Sequence, residues 1–131
     1  MKKANNITES EWPIMRVLWE RGSATAAEIV TVVTGERDVA MRTVKTLLRR
    51  LVAKEAVAYA IDPVDSRIYH YRPLIRKEAA VREKSDGFLA QIYQNRVGDL
   101  LAHFVEDSGL TEEELSALGD IVQKKLKEKR Q

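Results

Sequence analysis

The segment 41-MRTVKTLLRRLVAK-54 has two chemically different faces at the spacing of an α-helix. Apolar side chains recur at intervals of three and four residues, at Val44, Leu47, Leu48 and Leu51. This spacing is typical of the buried stripe of an amphipathic helix. The segment also holds five basic side chains and no acidic one, namely Arg42, Lys45, Arg49, Arg50 and Lys54. A clustered basic face of this kind is expected of a nucleic-acid interface.

Two capping motifs upstream of this segment predict two further helices. The pairs Thr8–Glu11 and Thr25–Glu28 have the spacing of a capping box, in which two side chains satisfy free backbone N–H groups at a helix start. Gly22 and Gly35 are the predicted ends of these helices, since glycine readily adopts the conformation that terminates many helices. Asp38 is the predicted cap of the third helix.

After residue 55, the spacing of the apolar side chains changes from the helical period to a period of two residues. The ranges 57–61 and 68–72 are rich in β-branched and aromatic residues, and the turn-forming segment 62-DPVDS-66 separates them. We therefore predict a β-hairpin that ends at Pro73. Three short helices followed by a hairpin describe a winged helix-turn-helix, in which the second and third helices form the helix-turn-helix and the hairpin is the wing.

The remainder of the chain is predicted to be helical, which makes the fold class mostly α with a small β-hairpin. Helices are expected over 75–93, over 97–105 and from a further capping box at Thr111–Glu114. Three amphipathic helices in about 60 residues are too few to bury their apolar faces against one another. A second copy of the chain would cover these faces. We therefore predict a winged helix-turn-helix domain at 1–73 and a helical dimerisation domain at 74–131. The predicted dimer interface residues are Phe88, Leu89, Leu101, Phe104, Leu118 and Val122.

Composition excludes several classes of protein. The 131 residues contain no cysteine, which rules out disulfides, cysteine nucleophiles and thiolate metal sites. Apolar runs are too short to cross a bilayer, and the basic residues 1–6 lead into no apolar stretch, so neither a membrane span nor a signal peptide is predicted. A soluble cytoplasmic protein without membrane partners is the expectation. Residues 1–73 carry 12 basic and 9 acidic side chains, whereas residues 74–131 carry 10 and 11, so the basic excess lies in the first part.

Nothing in the sequence resembles a catalytic or cofactor site. A nucleophile–base arrangement, a phosphate-binding glycine loop and a run of metal ligands are all lacking. The two histidines, His70 and His103, fall in different predicted domains, so a metal site within one subunit is not expected. We predict no enzymatic activity, no cofactor and no metal.

Four stretches, in order along nearly the whole chain, resemble a known family. They are ITESEW at 7–12 with Met15, VLW at 17–19 and Gly22; TVKTLL at 43–48 with RL at 50–51; RIYHY at 67–71 with PL at 73–74; and FVE at 104–106. The family is that of the penicillinase repressors, of the BlaI/MecI and CopY type. The resemblance implies a winged-helix domain, a helical dimerisation domain and binding to an inverted-repeat operator.

Three departures from the family pattern bear on the start of the third helix and its base preference, or on regulation. The chain has Val39-Ala40 where the family usually has Trp-Ser, and it lacks the paired cysteines of copper-responsive members. Antibiotic-responsive members are cut at an Asn-Phe bond, and the matching pair here is His103-Phe104. Two routes of release from DNA stay open: cleavage at this pair by a sensor-linked protease, and binding of a ligand or metal in the dimer interface. The resemblance favours proteolysis.

The predicted contacts with double-stranded operator DNA lie on the third helix and on the wing. They are Met41, Arg42, Thr43, Lys45, Thr46, Arg49 and Arg67. Arg42, Thr43 and Thr46 lie toward the helix start, the part that usually meets base edges. Lys45 and Arg49 are expected at phosphates, and Arg67 at a minor groove or a phosphate.

Arg50 and two tyrosines are expected to have structural roles. Arg50 lies beside the apolar stripe and is a candidate for a structural ion pair, and Tyr69 and Tyr71 are expected to pack on the domain rather than to stack on a ligand. The competing function is a winged-helix module that binds proteins and not DNA, but such a module has no need of five basic residues on one helix. An enzymatic function is the third and least favoured hypothesis.

Overall fold

The computed structural model describes residues 7–94, 96–107 and 109–131, so the expectation for residues 1–6 lies outside the described part. These residues form α1 (Trp12–Arg21), β1 (Ala24–Thr25), α2 (Ala26–Glu36), α3 (Met41–Ala53), β2 (Val57–Ile61), β3 (Tyr69–Pro73), α4 (Lys77–Ile92), α5 (Val97–Asp107) and α6 (Glu112–Lys129). The predicted fold class, mostly helical with a small antiparallel sheet, is confirmed.

The first compact unit ends at Ser85, within α4, and the second runs from Asp86 to Gln131. This division lies beyond the predicted domain boundary at residue 73. Its physical reason is that Ile75 and Ala80 are buried in the core of the first unit. The indole Nε1 of Trp19 in α1 also donates a hydrogen bond to the carbonyl oxygen of Ile75 at 2.8 Å.

The core of the first unit forms where α1, α2 and α3 meet. The predicted stripe of α3 is buried, and Ile14, Leu18 and Ile29 from α1 and α2 are fully enclosed. Because α3 is held by one face only, its other face is left to solvent.

Some helix ends match the predictions and others do not. The boxes Thr25–Glu28 and Thr111–Glu114 both form, and Gly22 ends α1 with a positive φ of 79°. The Thr8 prediction is wrong, because α1 starts at Trp12 with Glu11 as its N-cap residue. The carboxylate of Glu11 accepts the Thr8 N–H at 2.9 Å, but the Glu11 N–H donates to the Thr8 carbonyl oxygen and not to its hydroxyl, so only half of the box is present. The same carboxylate pairs with the Lys54 ammonium at 2.7 Å.

The predictions for Gly35 and Asp38 are also wrong. α2 continues through Gly35 to Glu36, and the N-cap of α3 is Ala40. The chain between Glu36 and Met41 is the turn that connects the two helices, and Asp38 lies within it. The buried stripe of α3 begins only at Val44, whose N–H bonds to the Ala40 carbonyl, so the helix need not start earlier.

The sheet has three antiparallel strands in the order β1-β3-β2. The predicted hairpin is confirmed, although β3 begins at Tyr69, one residue later than expected. Its register places Tyr59 opposite Tyr71, and β1 adds a short third strand opposite His70 and Tyr71. β1 was not predicted, because two residues are too few to show a period of two.

In the second unit, α5 and α6 bury none of their described residues. Leu100 on α5 is half-buried, whereas their other large apolar side chains, including Leu101, Phe104, Leu118 and Val122, are exposed. Within the described ranges, no helix combines the length and the apolar character needed to cross a membrane.

Candidate nucleic-acid interface

α3 presents six of the seven predicted DNA contacts on its solvent side. Met41, Arg42, Thr43, Lys45 and Arg49 are exposed and Thr46 is half-buried, whereas the apolar stripe faces the core. The structure therefore brings these six side chains together, and their common surface is called the α3 face below.

In the part of the chain that the structure describes, the cations of the α3 face lack acidic partners. Among the described residues, no carboxylate forms an ion pair with Arg42, Lys45 or Arg49. Arg50 is exposed and likewise pairs with no described carboxylate, so the structural ion pair suggested for it does not form. Lys54 differs, since its ammonium lies 2.7 Å from the buried carboxylate of Glu11. The α3 face is thus a positive surface whose charges are available to an anionic partner.

The polar groups near the start of α3 have defined hydrogen-bonding roles. The Thr46 hydroxyl donates to the carbonyl oxygen of Arg42 at 3.0 Å, so the hydroxyl oxygen is left as an acceptor for an incoming donor. No described side chain caps the helix N-terminus, and its first turn contains no acidic residue. The first backbone N–H groups therefore add to the positive potential of the α3 face.

Arg67 lies at the tip of the wing and is held by a neighbouring carboxylate. Its side chain is 88% exposed, and its Nε and one terminal nitrogen each lie 3.0 Å from a carboxylate oxygen of Asp65. This pairing raises the pKa of the Arg67 guanidinium and lowers the pKa of Asp65. The guanidinium is therefore oriented for bidentate binding of an anion, and a phosphate would have to replace Asp65.

Asp62 organises the turn that carries Arg67. Its carboxylate accepts the backbone N–H groups of Val64 and Asp65, each at 3.0 Å, and lies 2.8 Å from Nε2 of His70 on β3. The hydrogen bond with His70 is the largest cause that lowers the pKa of Asp62, followed by the two backbone donors. These bonds fix the short turn between β2 and β3.

Three tyrosines on the strands of the wing form an aromatic cluster beside α3, which the sequence analysis did not predict. The rings of Tyr59 and Tyr69 stack with centroids 4.8 Å apart, and Tyr71 lies at 6.2 and 6.3 Å from them. Tyr71 packs against the core as predicted, but Tyr69 is 37% exposed and Tyr59 is 47% exposed, so the core prediction is wrong for Tyr69. The cross-strand register sets this arrangement, and only the alternation of Tyr69 and Tyr71 signals it in the sequence.

A shallow groove of about 380 Å³ separates the tyrosine cluster from α3. It is lined by Lys45, Arg49, Val52, Tyr59, Tyr69 and Tyr71. Burial raises the pKa of Tyr71, the neighbouring Tyr69 and Tyr59 add to this, and the positive charge of Arg49 opposes it. Arg49 thus lines the same groove as the tyrosine cluster.

The residues predicted for dimerisation and cleavage lie elsewhere in the chain. Phe88 and Leu89 are on α4, Leu101 and Phe104 on α5, and Leu118 and Val122 on α6; all but the half-buried Leu89 are exposed. The His103-Phe104 bond lies within α5, and Nδ1 of His103 is 3.1 Å from a carboxylate oxygen of Asp107. In the described part of the chain, no group of three or more histidine and acidic side chains could hold a metal ion.

The sequence matches a family model described as "Penicillinase repressor" over residues 7–124. The methicillin resistance regulatory protein MecI of Mammaliicoccus sciuri is 28% identical over 123 residues, which cover 94% of this chain and 98% of the relative. The penicillinase repressor of Bacillus licheniformis is 27% identical over 123 residues, with 94% of each protein covered.

Solved structures show the same fold. The DNA-binding domain of the repressor BlaI has a TM-score of 0.52 and 26% identity, over 60% of this chain and 93% of that chain. The apo form of MarR from E. coli has a TM-score of 0.53 and 23% identity, over 93% of this chain and 79% of that chain, which is a likeness of fold. The family match, which extends from before α1 into α6, shows that the chain belongs to the penicillinase repressor family, a family of DNA-binding transcriptional repressors.

Proposed function

We propose that the protein is a homodimeric transcriptional repressor that binds an inverted-repeat DNA operator. The observation that carries the proposal is the α3 face, on which cations without a carboxylate partner among the described residues lie opposite a buried apolar stripe. The sequence likeness to MecI and to penicillinase repressors supports the same function.

In this function α3 is the recognition helix and enters the major groove. Arg42, Thr43 and Thr46 lie near its start and would meet base edges, with Met41 beside them. Lys45 and Arg49, four residues apart on the same exposed face, would contact phosphates, which gives affinity without sequence preference. Arg67 at the wing tip would exchange its bond with Asp65 for a phosphate or enter the adjacent minor groove.

The homodimer is proposed from the second unit, whose helices expose their apolar side chains. Monomeric soluble proteins seldom leave large contiguous apolar surfaces in water. Residues Phe88, Leu89, Leu101, Phe104, Leu118 and Val122 would lie in the interface. A two-fold dimer presents two copies of α3, which accounts for an operator with two related half-sites.

Selection of bound DNA from a random pool, followed by footprinting, tests this function. We expect a pseudo-palindrome whose half-sites are separated by about one helical turn or a multiple of it. The double variant Arg42→Gln/Arg49→Gln should abolish enrichment, whereas Lys125→Gln on α6 should leave it unchanged. Failure of the wild-type protein to enrich any DNA would favour the alternative, a winged-helix module that binds proteins.

Release from the operator is proposed to occur by proteolysis or by a ligand. Cleavage at His103-Phe104 would divide α5, on which two of the proposed interface residues lie, and a monomer would lose the second half-site. A ligand in the dimer interface would act only if it prefers the arrangement that cannot bind DNA. The mass of the protein isolated from induced cells distinguishes the two, since full-length protein under full derepression excludes proteolysis.

A further inference from the structure

The groove between α3 and the tyrosine cluster combines two features found in binding sites for aromatic anions. One wall consists of aromatic rings, and the other, on α3, consists of Lys45, Arg49 and Val52. No acidic residue lines it within the described chain. We propose that this groove binds a small planar aromatic carboxylate and that, as a step resting on the proposed function, the bound carboxylate competes with operator DNA.

The aromatic wall is already arranged for stacking. The Tyr59 and Tyr69 rings are nearly parallel, with an angle of 8° between their planes, and both are partly open to solvent. A further planar ring can extend such a stack at the usual centroid separation of about 4.5–7 Å. The groove volume of about 380 Å³ is at the lower end of the range for small-molecule sites, about 300–1,000 Å³, so the ligand has one or two rings.

The cationic wall selects the charge of the ligand. The guanidinium of Arg49 and the ammonium of Lys45 have no described carboxylate partner, so a ligand carboxylate would supply one. Uncharged aromatic molecules would gain the stacking but not this pairing. Aliphatic carboxylates would gain the pairing but not the stacking.

Competition with DNA follows from the position of the two cations. Lys45 and Arg49 belong to the α3 face, where they would otherwise meet phosphates. A carboxylate bound between them and the tyrosines occupies the same donors and adds a negative charge to this surface. The ligand therefore prefers DNA-free protein, and mass action shifts the equilibrium away from the operator.

The test is a titration of the full-length protein, labelled at its tyrosine rings, with benzoate and no DNA present. We expect saturable NMR shifts at Tyr59, Tyr69 and Tyr71 with millimolar affinity, as a ligand of this size allows. Benzamide and cyclohexanecarboxylate, which lack the charge and the ring respectively, should bind at least tenfold more weakly. Arg49→Gln should weaken benzoate binding at least tenfold, and Arg50→Gln, the adjacent exposed arginine outside the groove, should not.

Several outcomes overturn the proposal. Absence of NMR shifts at the tyrosines on addition of benzoate would overturn it. This holds even if Arg49→Gln weakened DNA binding, because the cations of the groove would then bind phosphates and no aromatic carboxylate. Equal binding of the three probes, or equal effects of the Arg49 and Arg50 variants, would show that no specific site exists.

Operator binding in benzoate, at ionic strength matched with chloride, tests the competition separately. Affinity for DNA should fall as the benzoate site fills, and benzamide should have no effect. Saturable benzoate binding with unchanged DNA affinity would overturn the competition. Absence of any DNA binding would contradict the proposed function and leave the titration result standing.

Discussion

Thr46 can contact DNA as a hydrogen-bond acceptor, because its hydroxyl hydrogen is donated to the carbonyl of Arg42 at 3.0 Å. An acceptor in the major groove selects the amino groups of cytosine or adenine. Arg49, further along the same exposed face, carries a charge that attracts any phosphate regardless of sequence. Two residues of one helix face are therefore expected to contribute to DNA binding in different ways.

Substitutions at these two positions should separate base reading from backbone contact. Thr46→Val keeps the side-chain shape and removes the acceptor, so preference at one base pair per half-site should change by about 1–3 kcal/mol. Arg49→Gln should weaken specific and non-specific DNA alike and reduce the salt slope by about one for each half-site. Affinities for operator and scrambled DNA over a range of salt concentrations measure both effects. If both variants altered the two affinities in the same ratio, the division of roles would be wrong.

At the wing tip, His70 is expected to control the titration of Asp62. The pKa of Asp62 lies below its ordinary value of 3.8, chiefly because of the hydrogen bond with His70. A carboxyl with a lowered folded-state pKa stabilises the turn at pH values above 3.8, and this contribution is lost as the pH falls through the lowered pKa. In His70→Ala the Asp62 pKa should rise toward the ordinary value, and the turn should open at a higher pH.

Carbon-13 NMR titration of the aspartate carboxyl groups measures this shift. Asp65 is the internal control, because its pKa is lowered mainly by Arg67. An unchanged Asp62 titration in His70→Ala, or an equal shift at Asp65, would contradict the assigned cause.

The roles of individual residues were predictable where neighbours in sequence determine them. The exposed cations of α3 follow from the helical period alone, since the stripe at Val44–Leu51 dictates which side faces water. Lys54 belongs to the same basic run, yet it is tied to Glu11, which is distant in sequence. No local pattern signals that pair, because it forms only after α1 and α3 have packed.

At the scale of elements, the Glu11–Lys54 pair links the start of α1 to the end of α3. Glu11 is only 1% exposed, whereas the Lys54 side chain retains 26% exposure. Removing the lysine therefore leaves a carboxylate enclosed in the protein, and removing the carboxylate leaves a lysine that can still reach water. The two substitutions should have unequal costs.

Lys54→Met should lower the free energy of unfolding by about 3 kcal/mol, the lower end of the cost of an uncompensated buried charge. Glu11→Gln, which keeps an acceptor for the Thr8 N–H, should cost about half as much. Urea unfolding at neutral pH measures both. The double variant should be more stable than the sum of the two costs implies, since no buried charge remains.

Lys125→Met on α6 is the matched control for the loss of a lysine, and it should change stability by less than about 0.5 kcal/mol because that side chain is exposed. A cost for Lys54→Met as small as that of the control would show that the pair does not join the two helices.

The sheet contains features that the sequence pattern does not predict. The alternation at 57–61 and 68–72 was sufficient to place the hairpin, but β3 lies one residue further along, and its register brings Tyr59 opposite Tyr71. The pairing register decides which side chains of two strands lie opposite each other, and the alternation in the sequence does not set it. The tyrosine cluster and its groove therefore required the structure, as did β1, which pairs with β3 across a large separation in sequence.

At the scale of the whole molecule, the proposed function assigns DNA contact to the first compact unit and assembly to the second. The first unit buries its apolar stripes and keeps its cations outside, whereas α5 and α6 of the second unit leave most of their apolar side chains in water. A chain arranged in this way is expected to gain stability when two copies meet. In the proposed dimer, each operator half-site would hold one α3 while the dimer keeps the second copy near the other half-site.

Leu101→Asp should convert the dimer to a monomer. Leu101 is 56% exposed on the apolar face of α5 that also includes Val97 and Phe104, so in a dimer the new carboxylate would be buried without a partner. Ala102→Asp introduces the same charge on the same helix, but the helical period places it away from that face, so the dimer should persist.

Light scattering at micromolar concentration should give twice the chain mass for the wild type and for Ala102→Asp, and the single chain mass for Leu101→Asp. Because α3 is unchanged in the monomer, Leu101→Asp should still bind an isolated half-site with the affinity of one wild-type winged-helix unit. On the full operator it should lose the gain that comes from linking two binding events. A Leu101→Asp protein that stayed dimeric would exclude this face from the interface. A monomeric variant that bound the full operator as tightly as the wild type would show that the second half-site is not held through the dimer.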